Sequence, residues 1–173
     1  VGIPFQHLVH SWHPDDELQR DASERLTVID TSLCPTAAGT IWRIEYVLPD
    51  LRSPLPVNFT LGTFFRAEEG YFVRAAVVPV QSATKTLRLQ QDGGRLIRID
   101  LGGRGLPFSA GDCLGWAHAR NSGLAFIVDE DSILVEVMPS TISVRDVSAL
   151  KSGASFHPKA RTYAVKFFAK PHS

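Results

Sequence analysis

The strongest constraint on this chain is a repeated period of two. From Thr40 to Leu48 the run TIWRIEYVL sets Trp42, Ile44, Tyr46 and Leu48 on one side and Arg43 and Glu45 on the other. Alternation of this kind belongs to a half-buried strand, because successive side chains of an extended backbone point to opposite faces. The pattern recurs. Leu26 to Thr31 is a short run rich in β-branched residues. Val57 to Phe65 and Tyr71 to Val80 read as strands closed into a hairpin by Arg66-Ala67-Glu68-Glu69-Gly70. Leu87 and Leu89 face inward in Thr84 to Gln90, and Ile97, Ile99 and Leu101 oppose Arg98 and Asp100 in Arg95 to Leu101. Between these two runs lies Asp92-Gly93, among the strongest short hairpin signals. Ser132 to Met138, Thr141 to Val147 and Thr162 to Ala169 complete the series, the last with Tyr163, Val165 and Phe167 facing inward.

The stretch Pro107 to Val128 is the centre of this pattern. It reads as two strands, one holding Phe108, Leu114, Trp116 and His118 and the other Leu124 to Val128, joined by a tight turn over Ala119-Arg120-Asn121-Ser122-Gly123. Trp116 stands between Gly115 and Ala117, as a large ring does in a close-packed sheet interior. The competing role for it is an exposed stacking surface.

About ten short strands with a turn signal every 8–12 residues imply an all-β fold, two antiparallel sheets packed as a sandwich or jelly roll. No helical stripe separates the strands, which excludes a parallel α/β fold. Residues 1–25 differ from the rest. They form an N-terminal extension, irregular or short-helical, with a short strand near Leu8 or Val9 and a short helix over Pro14 to Arg25, where proline and acids suit a helix start. Residues 26–173 form one β-sandwich domain, and the full length of 173 residues suits a single core.

Lys+Arg and Asp+Glu number 18 each, so nothing in the charge balance favours nucleic acid. No apolar run approaches the roughly 18 residues that insert into a membrane. Cys34 and Cys113 are an even pair without CxxC spacing, which points to a disulfide. Asn58-Phe59-Thr60 is an N-glycosylation acceptor, and alternation in VNFTLGTFF puts Asn58, Thr60 and Gly62 on the less apolar face. A chain opening at Val1 without Met fits processing. Together these features imply an extracellular or cell-surface glycoprotein.

Several constellations could carry chemistry. His13-Pro14-Asp15-Asp16-Glu17 resembles the HPDDE signature of the zinc-dependent N-acetylglucosaminyl deacetylase family. The resemblance implies zinc on His13 and Asp16, with Asp15 as general base. It covers these residues alone; the family's His-x-x-His segment has no counterpart downstream, and no α/β pattern follows. His7, His10 and His13 are spaced by three, which on a helix would cluster imidazoles for zinc or copper. Asp129-Glu130-Asp131 gathers carboxylates in one loop, where calcium could bind with help from Asp112 or backbone carbonyls. Gly102-Gly103-Arg104-Gly105 has no helix behind it to hold phosphate and reads as a flexible loop. No nucleophile arrangement is present, neither a G-x-S-x-G elbow nor a catalytic cysteine neighbourhood, and for the recognition-module reading no cofactor is implied beyond that calcium.

A recognition set remains. Arg66, Glu68, Glu69 and Tyr71 lie at one hairpin, Arg104 in the glycine loop, and His118, Arg120 and Asn121 at the central turn. Planar Arg and Asn hydrogen-bonding groups beside an aromatic ring suit a carbohydrate or peptide. The reading is therefore a recognition or adhesion module with a glycan or protein ligand, oligomerisation being open. The alternatives are a metal-dependent hydrolase acting through His13, Asp15 and Asp16, and a structural or assembly subunit.

Overall fold

The computed structural model describes residues 8–9, 19–20, 24–48, 59–79, 84–88, 95–120, 124–128, 134–138 and 153–172. In chain order the strands are β1 (Leu8–Val9), β2 (Gln19–Arg20), β3 (Leu26–Asp30), β4 (Gly39–Leu48), β5 (Thr60–Ala67), β6 (Gly70–Val77) and β7 (Thr84–Arg88). They continue as β8 (Arg95–Asp100), β9 (Leu106–Phe108), β10 (Cys113–His118), β11 (Ala125–Val128), β12 (Leu134–Met138), β13 (His157–Tyr163) and β14 (Val165–Pro171). The only helical element among the described residues is a 3-10 turn at Gly102–Arg104.

Two antiparallel sheets form a sandwich, as the alternation implies. The first runs β1-β14-β4-β8-β7, with β9 also paired to β4; the second runs β2-β11-β13-β12-β3-β10-β5-β6. Between them lies the main core. Ile44, Tyr46, Leu48, Ile97, Ile99, Val165 and Phe167 of the first sheet meet Leu26, Val28, Leu61, Leu114, Trp116, Val137 and Tyr163 of the second. Trp116 is 0% exposed, its ring edge-on to Tyr163 at 5.1 Å and stacked against Phe167 at 6.5 Å. It is a core anchor, and the role of exposed stacking surface is excluded for it. No helix among the described residues is long and apolar enough to cross a membrane.

Three local expectations are corrected. β10 and β11 do not form a hairpin: β3, β12 and β13 lie between them, and β10 pairs instead with β3 and β5. Turn-forming residues permit a tight reversal but do not choose the partner. β10 is buried throughout, and such a strand needs a strand on each edge and apolar cover on each face. Second, the run Thr162 to Ala169 is not one strand. β13 belongs to the second sheet and β14 to the first, with Ala164 at the corner. The Ala164 N–H donates to the carbonyl of Ala125 at 2.8 Å, and its own carbonyl accepts from the N–H of Val47 at 3.0 Å, one bond to each sheet. Tyr163, Val165 and Phe167 still all face the core. Third, Gln19–Arg20 is extended and pairs with β11, where a helix was expected. Helix propensity over a few residues is weak beside the bonds an open sheet edge offers. β1 forms the short strand expected near Leu8 and pairs with β14, so the N-terminal extension supplies an edge strand to each sheet. The expected strand Thr141 to Val147 and the Asp92-Gly93 turn lie outside the described residues.

The outer face of the second sheet is also covered. Ile29, Phe64, Tyr71, Val73, Cys113 and Ala117 form a second apolar cluster, with Cys34, Met138, Ala154 and Phe156 packed against it. Here the expected disulfide is present: Cys34 and Cys113 are bonded, Cα to Cα 4.1 Å. Gly115 sits beneath, where a Cβ would fall 2.2 Å from the Val28 carbonyl oxygen and 2.9 Å from the Phe64 ring. Beside the disulfide, Asp112 is buried and accepts from the Arg74 guanidinium through Nε and through Nη2 at 3.1 Å, and from the Ser109 N–H at 2.7 Å. The hydrogen bond to Asp112 pushes the Arg74 pKa above its ordinary value.

Candidate functional site

The expected recognition set does not assemble. Arg66 and Glu68 are exposed at the β5–β6 turn, but Tyr71 is 4% exposed, its ring edge-on to Phe156 at 5.3 Å and its backbone paired with Ala154. His118 is 0% exposed at the end of β10, which places its imidazole out of reach of an external ligand. Arg120 is exposed, yet it follows His118, whereas Arg66 lies beyond the Cys113 end of the same strand pair. The two groups therefore stand at opposite ends of the second sheet. Arg104 closes the 3-10 turn ahead of β9. Asn121, Asp129, Glu130 and Asp131 lie outside the described residues, as do Asn58 and the motif from His13 to Glu17. Among the described residues no three His, Cys, Asp or Glu side chains come together as a metal site. At the sequon, Thr60 is 1% exposed and Gly62 is buried, so the face shared by these two is covered.

The side chains that do gather on an open surface belong to β4 and β14. Trp42 was expected inward, but a bulge reverses it. Arg43 is opposite Phe168 and Ile41 is opposite Ala169, leaving Trp42 as an extra residue on β4. An extra residue shifts the phase of the alternation. Ile41 therefore turns into the core, while Trp42 and Arg43 are both half-buried on the outer face. On β14 the alternation is regular: Val165, Phe167 and Ala169 point inward, and Lys166, Phe168 and Lys170 point outward.

Trp42 and Phe168 meet with ring centroids 5.8 Å apart. The guanidinium carbon of Arg43 lies 4.7 Å from the Trp42 centroid, and the Lys170 Nζ lies 5.5 Å from it. Lys166 Nζ lies 5.8 Å from the Phe168 centroid. Each cation sits in the attractive range of a ring quadrupole, worth about 0.5–1 kcal/mol at an exposed site. Arg43 is also tied to Asp100 at 2.6 Å, and Arg98 to Glu45 at 2.9 Å. Thr40 Oγ1 and the ring Nε2 of His172 are 2.7 Å apart at the Lys170 end. The register aligns Lys166, Glu45, Arg98 and Lys85 across four strands, with Phe168, Arg43 and Asp100 in the next row. This face thus sets Lys85, Arg98, Arg43, Lys166 and Lys170 against two carboxylates, Glu45 and Asp100, among the described residues.

A second aromatic–cation group differs in one respect. Phe65 and Phe72 stack at 5.3 Å with Arg74 4.8 Å from the Phe65 centroid, but Arg74 is already neutralised by buried Asp112. Lys166 and Lys170 have no carboxylate partner within salt-bridge distance among the described residues. In comparisons with protein families, with curated proteins and with solved structures, nothing matches the chain.

Proposed function

We propose that this protein is an extracellular recognition module that binds a glycan on the outer face of its first sheet. The observation that carries the reading is the half-buried Trp42–Phe168 pair, 5.8 Å between centroids, its tryptophan turned outward by a bulge, in a chain that buries most of the large rings among its described residues. An aromatic ring held on a rigid sheet offers an apolar plane to the C–H face of a sugar, while Arg43 and Thr40 beside it offer polar contacts. The Cys34–Cys113 bond supports an oxidising compartment, where such bonds persist. Glycosylation at Asn58 belongs to the same reading; glycosidase treatment of material from a eukaryotic secretory host should lower its mass, and an unchanged mass counts against it. The binding proposal is tested on a glycan array with the wild-type chain and Trp42→Ala. Signal for a subset of glycans that disappears in the variant is the expected result. Equal signal from both proteins removes the site from this face.

A further inference from the structure

The cations on this face narrow the ligand class. Lys166 and Lys170 flank Phe168 on one strand, four positions apart, so their Cα atoms lie roughly 13 Å apart at a strand's rise per residue. The two ammonium groups lie over different rings, Lys170 over Trp42 and Lys166 over Phe168, so a chain bearing repeated negative charges can meet each of them separately with its uncharged carbon surface over the ring pair. The rings hold the ammonium groups above an apolar surface, 5.5 Å from the Trp42 centroid and 5.8 Å from that of Phe168, where a charge is less hydrated than in open water. β4 is paired on both edges, by β14 and by β8 and β9, and β1 covers the far edge of β14 at Lys166 and Phe167, so an added peptide strand finds no free backbone on β4; an acidic peptide is kept as an arm of the test.

We infer that the ligand is an acidic glycan, a saccharide chain with repeated carboxylate or sulfate groups, held by Lys166 and Lys170 across the Trp42–Phe168 pair. The inference rests on the glycan reading above. The test is titration calorimetry of the full chain with a neutral oligosaccharide, a uronate oligosaccharide, a sulfated oligosaccharide and oligoglutamate, at low and physiological salt. The variants are Lys166→Gln/Lys170→Gln, Trp42→Ala and, as a control on the second sheet, Lys159→Gln. The expected result is binding of an acidic oligosaccharide that weakens about tenfold or more in the double lysine variant and falls with added salt, with the control unchanged. Neutral and acidic saccharides bound alike, with the lysine variant unaffected and Trp42→Ala inactive, would overturn the acidic ligand and leave the glycan reading standing. Oligoglutamate bound more tightly than any saccharide would overturn it in favour of an acidic protein. No binding by any probe would overturn both.

Discussion

The two sheets present their core faces to each other in the same way, and their outer faces differently. Ile29, Phe64, Cys113 and Ala117 on the second sheet lie under Cys34, Ala154 and Phe156, whereas Trp42, Arg43, Lys166, Phe168 and Lys170 on the first carry no such cover among the described residues. The composition of each face accounts for the difference. Gly115, Gly62 and Ala117 allow close approach to the second sheet, and the disulfide fixes a loop to it. Long cationic side chains on the first keep their heads in water while their stems and the rings shield the backbone. One outer face is thus a secondary core; the other is open around Trp42 and Phe168 and covered only toward its far end, where Val47 is buried with Ala125 and Ala164.

Mutations can break or sharpen this contrast. The largest effect is expected from removing the disulfide. Its loop spans a sequence separation of 79, for which the chain-entropy model gives about 4–5 kcal/mol. Urea unfolding of Cys34→Ala/Cys113→Ala should show that loss, and an unchanged midpoint would mean that the outer cluster holds without it. Trp116→Ala should cost about 3–5 kcal/mol, because it empties a wholly buried site. Gly115→Ala comes next, at about 1–3 kcal/mol, since the added carbon meets the Val28 carbonyl. A neutral result there would show that the cover over the second sheet is loose. Trp42→Ala, by contrast, should cost only about 1 kcal/mol, the scale of its cation contacts and partial burial. A calorimetric melt of the two Trp→Ala variants side by side measures the contrast directly.

Much of the fold was legible in the sequence. Alternation in Arg95 to Leu101 placed Ile97, Ile99 and Leu101 inward, where they are found. The hairpin from Arg66 to Gly70 formed because Gly70 takes the positive φ of 130° that its turn requires. Partner choice was less legible. β10 and β11 are neighbours in sequence but not in the sheet, since pairing follows which faces must be buried rather than the turn between them. The candidate site was hidden for a related reason. A one-residue bulge reverses Trp42, and that bulge is defined jointly with β14, more than a hundred positions away. The alternation of Lys166, Phe168 and Lys170 was visible, and would have marked an outward aromatic had the strand been read for both faces. Turn composition does not carry the packing of Phe156 on Tyr71, whereas His118 stands in phase with Leu114 and Trp116, an alternation that signals the burial it has.

On the proposed function, the outer face of the first sheet, and not the ends of the second, meets the ligand. A nuclear magnetic resonance titration of isotope-labelled protein with the best-binding acidic oligosaccharide tests it most directly. The largest shift changes should fall on Trp42, Arg43, Lys166, Phe168 and Lys170, with the indole N–H of Trp42 moving and that of Trp116 still. Changes centred instead on Arg66 to Glu69, or on Arg120, would contradict it and return the site to the loops.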